Sequence, residues 1–288
     1  MMARGNRQMR KYQTKKIWID SDGRRMKLLI LQPEGKKVPQ PGVLWIHGGG
    51  YVTGMPEMVY FTRAIDLVKK YGAVVVSPDY RLAGKAPYPA ALRDCHAALQ
   101  YMKDHAQELG IRDDQLMVGG ESAGGGLTAA LCMYEKDIGG TRVAFQMPLY
   151  PMLDDRDTES SRDNHAPVWN TKRNHRAWAK YLRRLSGREI PCYTAPARRK
   201  DYSGLPPAYT FVSTAEPFYA ETLIYVRNLR KAGVKARMNV YRGLFHAFDM
   251  LLPFLPVSRF AAREFGRHFS YAQKHFFAPQ ESKKEGEH

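Results

Sequence analysis

The sequence predicts an α/β fold: one mainly parallel central sheet with helices on both faces, carrying a small helical cap. Three observations lead there. Short β-branched or aromatic runs alternate with stretches of helical spacing along most of the 288 residues, and that alternation specifies parallel strands joined by crossover helices. The rhythm stops once, over residues 155–205, where Trp169, Trp178, Tyr181 and many charges gather without a legible strand. The hydrophobic content, 44%, suffices for one sizeable core at this length. The expected plan is a sheet domain built from residues 1–154 and 206–288, with 155–205 inserted as a cap over the strand ends.

In chain order, "KKIWI" and "MKLLILQ" read as an antiparallel pair joined near Asp22-Gly23. "GVLWIH" (42–47) is a buried strand running into a glycine turn. Residues 57–71 place Met58, Phe61, Ile65 and Val68 on one side, as a helix does. "AVVVSPDY" (73–80) is an apolar strand, and "PYPAALRDCHAALQYMKDHA" a long helix with proline at its start. "QLMVGG" is a strand, followed by a helix from Ala123 to about Lys136. "VAFQMPLYP" and "PAYTFVST" are strands on either side of the insertion. A helix over 218–232, the strand "KARMNVY" and an amphipathic helix from about Val257 complete the frame, and the tail "ESKKEGEH" is expected to fray.

Composition narrows the compartment and the partners. The 3 cysteines, Cys95, Cys132 and Cys192, are odd in number and lack metal-ligand spacing, which excludes a disulfide scaffold and suits a reducing compartment. The basic start is not followed by an apolar segment, and "KLLIL" is too short for a signal or a membrane span. A cytoplasmic protein without membrane insertion is expected. The formal charge of +17 is concentrated in two places. One is the start, with Arg4, Arg7, Arg10, Lys11, Lys15 and Lys16; the other is 156–200, with twelve Lys/Arg against four acids. Neither accompanies a helix-turn-helix, zinc-finger or RNP pattern, so a solvated basic surface is expected in place of a nucleic-acid site.

Gly120-Glu121-Ser122-Ala123-Gly124 fits G-x-S-x-G between a strand and a small-residue helix. A sharp turn there lifts a serine hydroxyl above the sheet and needs flanking residues without bulk. Upstream, "HGGGYVTG" (47–54) can bring backbone N–H groups close to a substrate carbonyl. The N–H groups of Gly49, Gly50 and Ala123 are the expected donors to an oxyanion. His47 lies inside that turn and is expected to be structural. Of the nine histidines, His96 and His105 fall within a helix, His165 and His175 in the insertion, and His268, His275 and His288 in the terminal region. His246, in the loop after the last strand, is placed to serve as a base, since α/β-hydrolases follow the chain order Ser…acid…His.

HGGG, then "SPDYRLAGKAPYPAALRDC", then GESAGG in this order resembles the hormone-sensitive lipase family of serine esterases, bacterial family IV, over roughly residues 43–251. The resemblance implies an α/β-hydrolase fold with Ser122 as nucleophile, His246 as base, Gly49, Gly50 and Ala123 as oxyanion hole, and Asp94 as structural. Gly84-Lys85 depart from the family's Pro-Glu after Tyr80-Arg81-Leu82-Ala83. The family's D-P-L-x-D-E stretch is here "STAEPFYAETL"; aligned on the proline, Glu216 takes the first aspartate's place, Ala220 the second acid's and Glu221 the third's. Asp154 and Asp249 are the rival acids. Only 46 residues precede His47, fewer than the family usually has, so a cap resting on 155–205 alone and a shallower, more open acyl site are expected; a homodimer or higher oligomer is the other way to cover it. The implied activity is a carboxylesterase acting on small, short-chain acyl esters through an acyl-enzyme, without metal or organic cofactor. An amidase, peptidase or thioesterase would use the same residues. A non-catalytic receptor on this fold is disfavoured by the retained His246 and carboxylate.

Overall fold

The computed structural model describes residues 9–35 and 38–281. Arg4, Arg7 and the tail segment 282–288 lie outside the described residues, and with them the predicted fraying. The first two strands, β1 (Tyr12–Ser21) and β2 (Arg24–Pro33), form the predicted hairpin, with Ser21 opposite Arg24 and Asp22-Gly23 as the turn. Then come β3 (Gln40–Ile46), β4 (Val74–Pro78), β5 (Ile111–Glu121), β6 (Phe145–Leu149), β7 (Ala208–Ser213) and β8 (Ala236–Tyr241). They make one eight-stranded sheet in the order β1-β2-β4-β3-β5-β6-β7-β8. The β1–β2 and β2–β4 pairings are antiparallel, and all the others are parallel. This is the α/β-hydrolase fold.

Five longer helices follow in chain order: α1 (Ala90–Asp104), α2 (Ala123–Asp137), α3 (Thr171–Leu182), α4 (Tyr219–Lys231) and α5 (Pro256–His275); α3 belongs to the inserted segment, and the other four flank the sheet. The strands read as near-continuous apolar runs because both sheet faces are covered. Leu28, Ile30, Leu44, Ile46, Val76 and Val118 pack into the core shared with α1 and α2. Their neighbours Leu29, Leu31, Val43, Trp45, Val75 and Met117 pack into the opposite core with α5. That period of two is the pleat itself.

One prediction changes in detail. The single helix read over 57–71 is a 3₁₀ turn (Pro56–Tyr60), a break, and a second helical stretch from Arg63 to Tyr71. The break resets the helical phase at Thr62, whose hydroxyl accepts the Ala64 N–H. Val59, Ala64, Leu67 and Val68 are therefore buried, and Phe61, placed on the inner side by a uniform period, is 75% exposed. Within 155–205 the structure forms α3. Asn170 caps it by accepting the Arg173 N–H, and Asn174, Ala177, Trp178 and Tyr181 form its buried side.

Candidate active site

Ser122, Glu216, His246 and the 47–54 loop all follow the carboxyl ends of parallel strands, β5, β7, β8 and β3, where open α/β sheets place their sites. Ser122 stands between β5 and α2 at φ +58°, ψ −119°, a backbone conformation that a side-chain-bearing residue holds only under constraint. The constraint is visible. Its N–H donates to Leu149 (3.0 Å), while its carbonyl accepts from Met152 (3.0 Å) and Gly126 (2.9 Å). A Cβ on Gly120 would sit 2.3 Å from the Ile46 carbonyl oxygen, and one on Gly124 2.0 Å from the same atom. Both motif glycines are thus demanded by the close approach of β3 to the turn.

Ser122 Oγ lies 2.9 Å from His246 Nε2, and His246 Nδ1 is hydrogen-bonded to Glu216 Oε2. The other Glu216 oxygen accepts the Ser213 N–H at 2.8 Å, so both carboxylate oxygens are committed. Ser122 is 6% exposed, His246 3% and Glu216 0%. Tyr150 and Phe218 each set a ring edge-on to the imidazole at 5.0 Å. The bond to Glu216 fixes the proton on Nδ1 and leaves Nε2 as the acceptor facing Ser122.

The glycine loop packs directly on the serine: a Cβ on Gly48 would lie 3.3 Å from that of Ser122. Its fold is held by the Gly49 carbonyl, which accepts the N–H groups of Val52 and Thr53. Ala123 opens α2, so its N–H has no acceptor within the helix. His47 is engaged within the glycine loop itself. It is buried, donates from Nδ1 to the Gly48 carbonyl (2.8 Å) and stacks on Tyr80 at 4.1 Å. Burial pushes its pKa down to about 4, so it is neutral near pH 7. The Tyr80-Arg81-Leu82-Ala83 stretch braces this loop: the Tyr80 hydroxyl donates to the His47 carbonyl (2.9 Å), and the Ala83 N–H to that of Tyr51 (2.7 Å). Arg81 grips the buried Asp94 through its guanidinium and backbone, which gives Asp94 a structural place.

The rival acids are engaged elsewhere. Asp154 is held by Arg156 at 2.8 and 2.9 Å. Asp249 pairs with Arg63 (3.3 Å) in full burial. Glu221 is buried and accepts the Leu153 N–H at 2.6 Å. Glu121, beside the serine, receives the Trp45 indole N–H at 3.0 Å, and burial followed by the nearby Asp249 pushes its pKa up to about 8. Among the described residues no group of three or more His, Cys, Asp or Glu side chains is arranged to hold a metal ion.

The 155–205 segment lies on the site more tightly than its sequence suggests. Trp169 reaches Gly50, and the stacked Tyr51–Tyr181 pair (4.0 Å) pins α3 to the glycine loop. Large rings, Tyr150, Trp169 and Phe218, flank the buried histidine. The segment also clamps the Glu216 loop. Ser160 Oγ donates to the Pro217 carbonyl (2.6 Å) and accepts the Ala220 N–H (2.9 Å), and Asn164 donates to the Ala215 carbonyl (3.2 Å). Ser213 couples acid and base loops, since its hydroxyl accepts the Leu244 N–H (2.9 Å) two residues before His246. Ser160, Asn164 and Ser213 carry no sequence signal, because isolated Ser and Asn are ordinary in loops and at strand ends.

Residues 43–250 match the model of the alpha/beta hydrolase fold family, and the chain belongs to that family. More particularly, it is similar to esterases: 35% identical over 215 residues to Esterase LipI and 32% over 214 residues to Carboxylesterase NlhH, both of Mycobacterium tuberculosis. Each match covers 72% of this chain but only 65% and 66% of the two relatives' own lengths. A bacterial heroin esterase superposes with a TM-score of 0.84 at 33% identity, covering 91% of this chain and 83% of that one.

Proposed function

We propose that the protein is a carboxylesterase of the hormone-sensitive lipase type that hydrolyses small, short-chain acyl esters through a Ser122–His246–Glu216 triad. The observation that carries this reading is the hydrogen-bonded line from a strained serine through a buried imidazole to a fully committed carboxylate, beside the glycine loop. As Ser122 Oγ attacks the ester carbonyl, His246 Nε2 takes its proton. Glu216 holds the tautomer and stabilises the imidazolium. The oxyanion is received by the N–H groups of Gly49, Gly50 and Ala123, each worth on the order of 3 kcal/mol of barrier. His246 then protonates the departing alkoxide, leaving an acyl-enzyme. Water activated by the same nitrogen releases the acid and restores the serine. Residues 155–205 act as the cap over a domain formed by 1–154 and 206–288. The kinship with named esterases favours esters over amides as substrates.

The test is direct. Ser122→Ala is expected to abolish turnover of p-nitrophenyl acetate and butyrate, and a phosphonate should label Ser122 alone. Substantial turnover by the variant would overturn the assignment.

A further inference from the structure

We propose that Trp169 sets the size limit of the substrate at Ser122; this rests on the reading of Ser122 as the ester-cleaving nucleophile and goes beyond it by naming the residue that confines the ester to short chains. Three atoms of the Trp169 six-membered ring crowd the space beside Gly50: a Cβ built there would meet them at 2.3, 3.0 and 3.2 Å. The indole is therefore in contact with the loop proposed to receive the oxyanion. On its other side its centroid lies 6.3 Å from the His246 ring and 6.3 Å from Phe218. A carbonyl carbon attacked by Ser122 must sit between those same two partners, Gly50 and His246. Whatever is attached to that carbon then extends beneath or against the indole.

The ring is also held in place. Trp169 immediately precedes Asn170, the N-cap of α3, and its backbone N–H donates to the Pro167 carbonyl at 2.8 Å. Its indole N–H points to Oδ1 of the buried Asn174, one turn into α3, at 3.4 Å. The ring is thereby tied to α3, which Trp178 and Tyr181 anchor to Tyr51 of the glycine loop. A short acyl or alkoxy group fits under a fixed ceiling and a long one does not. The physical origin of a short-chain preference is thus a wall, where the sequence suggested an open and shallow cleft.

The experiment compares the wild type with Trp169→Ala and Trp169→Leu on two series: p-nitrophenyl esters from acetate to decanoate, and acetate esters from ethyl to octyl. The expected result is a wild-type kcat/KM that falls steeply beyond butyl length in at least one series. In Trp169→Ala the octanoate-to-butyrate ratio, or the octyl-to-butyl ratio, rises at least about tenfold, the discrimination one or more confined methylenes give; Trp169→Leu falls between. Labelling of Ser122 by a small phosphonate, unchanged across the three proteins, shows that the triad and fold survive. Unchanged length profiles in both series with labelling intact would overturn the proposal. If the wild type is not labelled and has no turnover, the catalytic reading fails; the size limit is then read from calorimetric binding of butyrate and octanoate. A selective gain for octanoate in Trp169→Ala supports the wall, and equal affinities refute it.

Discussion

Glu216 is where glutamate replaces the aspartate that the resemblance leads one to expect. The longer side chain is accommodated because one oxygen reaches His246 while the other is anchored on the Ser213 N–H. Glu216→Gln keeps that shape but loses the charge that fixes the tautomer. It is expected to lower kcat on p-nitrophenyl butyrate by about 10³- to 10⁴-fold with little change in melting temperature. Asp154→Ala should stay within about tenfold of wild type, since Asp154 is bound to Arg156; the reverse ranking would move the acid to Asp154. The motif glycines invite a second comparison at this scale. Gly124→Ala drives a Cβ to 2.0 Å from a backbone carbonyl, whereas at Gly125 the nearest atoms are at 3.0 Å. By denaturant melts, Gly124→Ala should lose more than the about 1–3 kcal/mol of ordinary overpacking, and Gly125→Ala should fall within that range.

Among the elements, the His246 loop is held by a device that its own sequence does not advertise. Asp249, fully buried in the turn Phe248–Leu251 just after His246, pairs with the nearly buried Arg63 from the helical stretch after Thr62. The same guanidinium also reaches Asp66 at 3.3 Å. Arg63 keeps Asp66 if Asp249 is lost, but removing Arg63 strands the Asp249 carboxylate in the interior. Arg63→Met is expected to cost about 3 kcal/mol in urea melts and to lower kcat through a loosened His246 loop. The double replacement Arg63→Met with Asp249→Leu should recover most of the stability. A double variant no more stable than the single one would show that the pair does not act as a unit. Residues this far apart in the chain, 186 positions, leave no local pattern by which a reader of one sequence could join them. The strands and long helices were legible because period-2 and period-3.6 burial is written locally. A uniform local period joins 57–71 into one helix, whereas the cap at Thr62 resets the phase in mid-segment.

At the scale of the molecule, buried titrating groups set how stability varies with pH: His47 and Glu121 act in opposite directions, and Glu221 and Asp249, which burial also pushes up, act with Glu121. His47 has its pKa depressed to about 4. Between the unfolded value near 6.5 and 4, the unfolded chain binds a proton that the native state refuses, so stability falls as pH falls through that window. Glu121 is raised to about 8. Between the unfolded value near 4.5 and 8, the native state keeps a proton that the unfolded chain releases, so this group's contribution falls as pH rises. Glu121→Gln should therefore flatten the decline between about pH 5 and 8 in stability measured by chemical denaturation. A slope identical to wild type would show that Glu121 does not hold its proton. No helix among the described residues is long and apolar enough to cross a membrane, and the cap's excess of Lys and Arg is largely on exposed side chains.

Local sequence is enough to write the alternation of strands and helices, the strand–turn–helix around Ser122, the glycine loop and the late histidine. Each of these depends on steric or periodic demands that neighbouring residues must meet locally. It took the folded chain to separate Glu216 from its rivals beside His246, to show the inserted segment clamping the 215–220 loop through Ser160 and Asn164, and to bring Trp169 down on Gly50. Those outcomes turn on distances of a few ångströms between side chains far apart in the chain. Only closure of the sheet and seating of the cap set such distances.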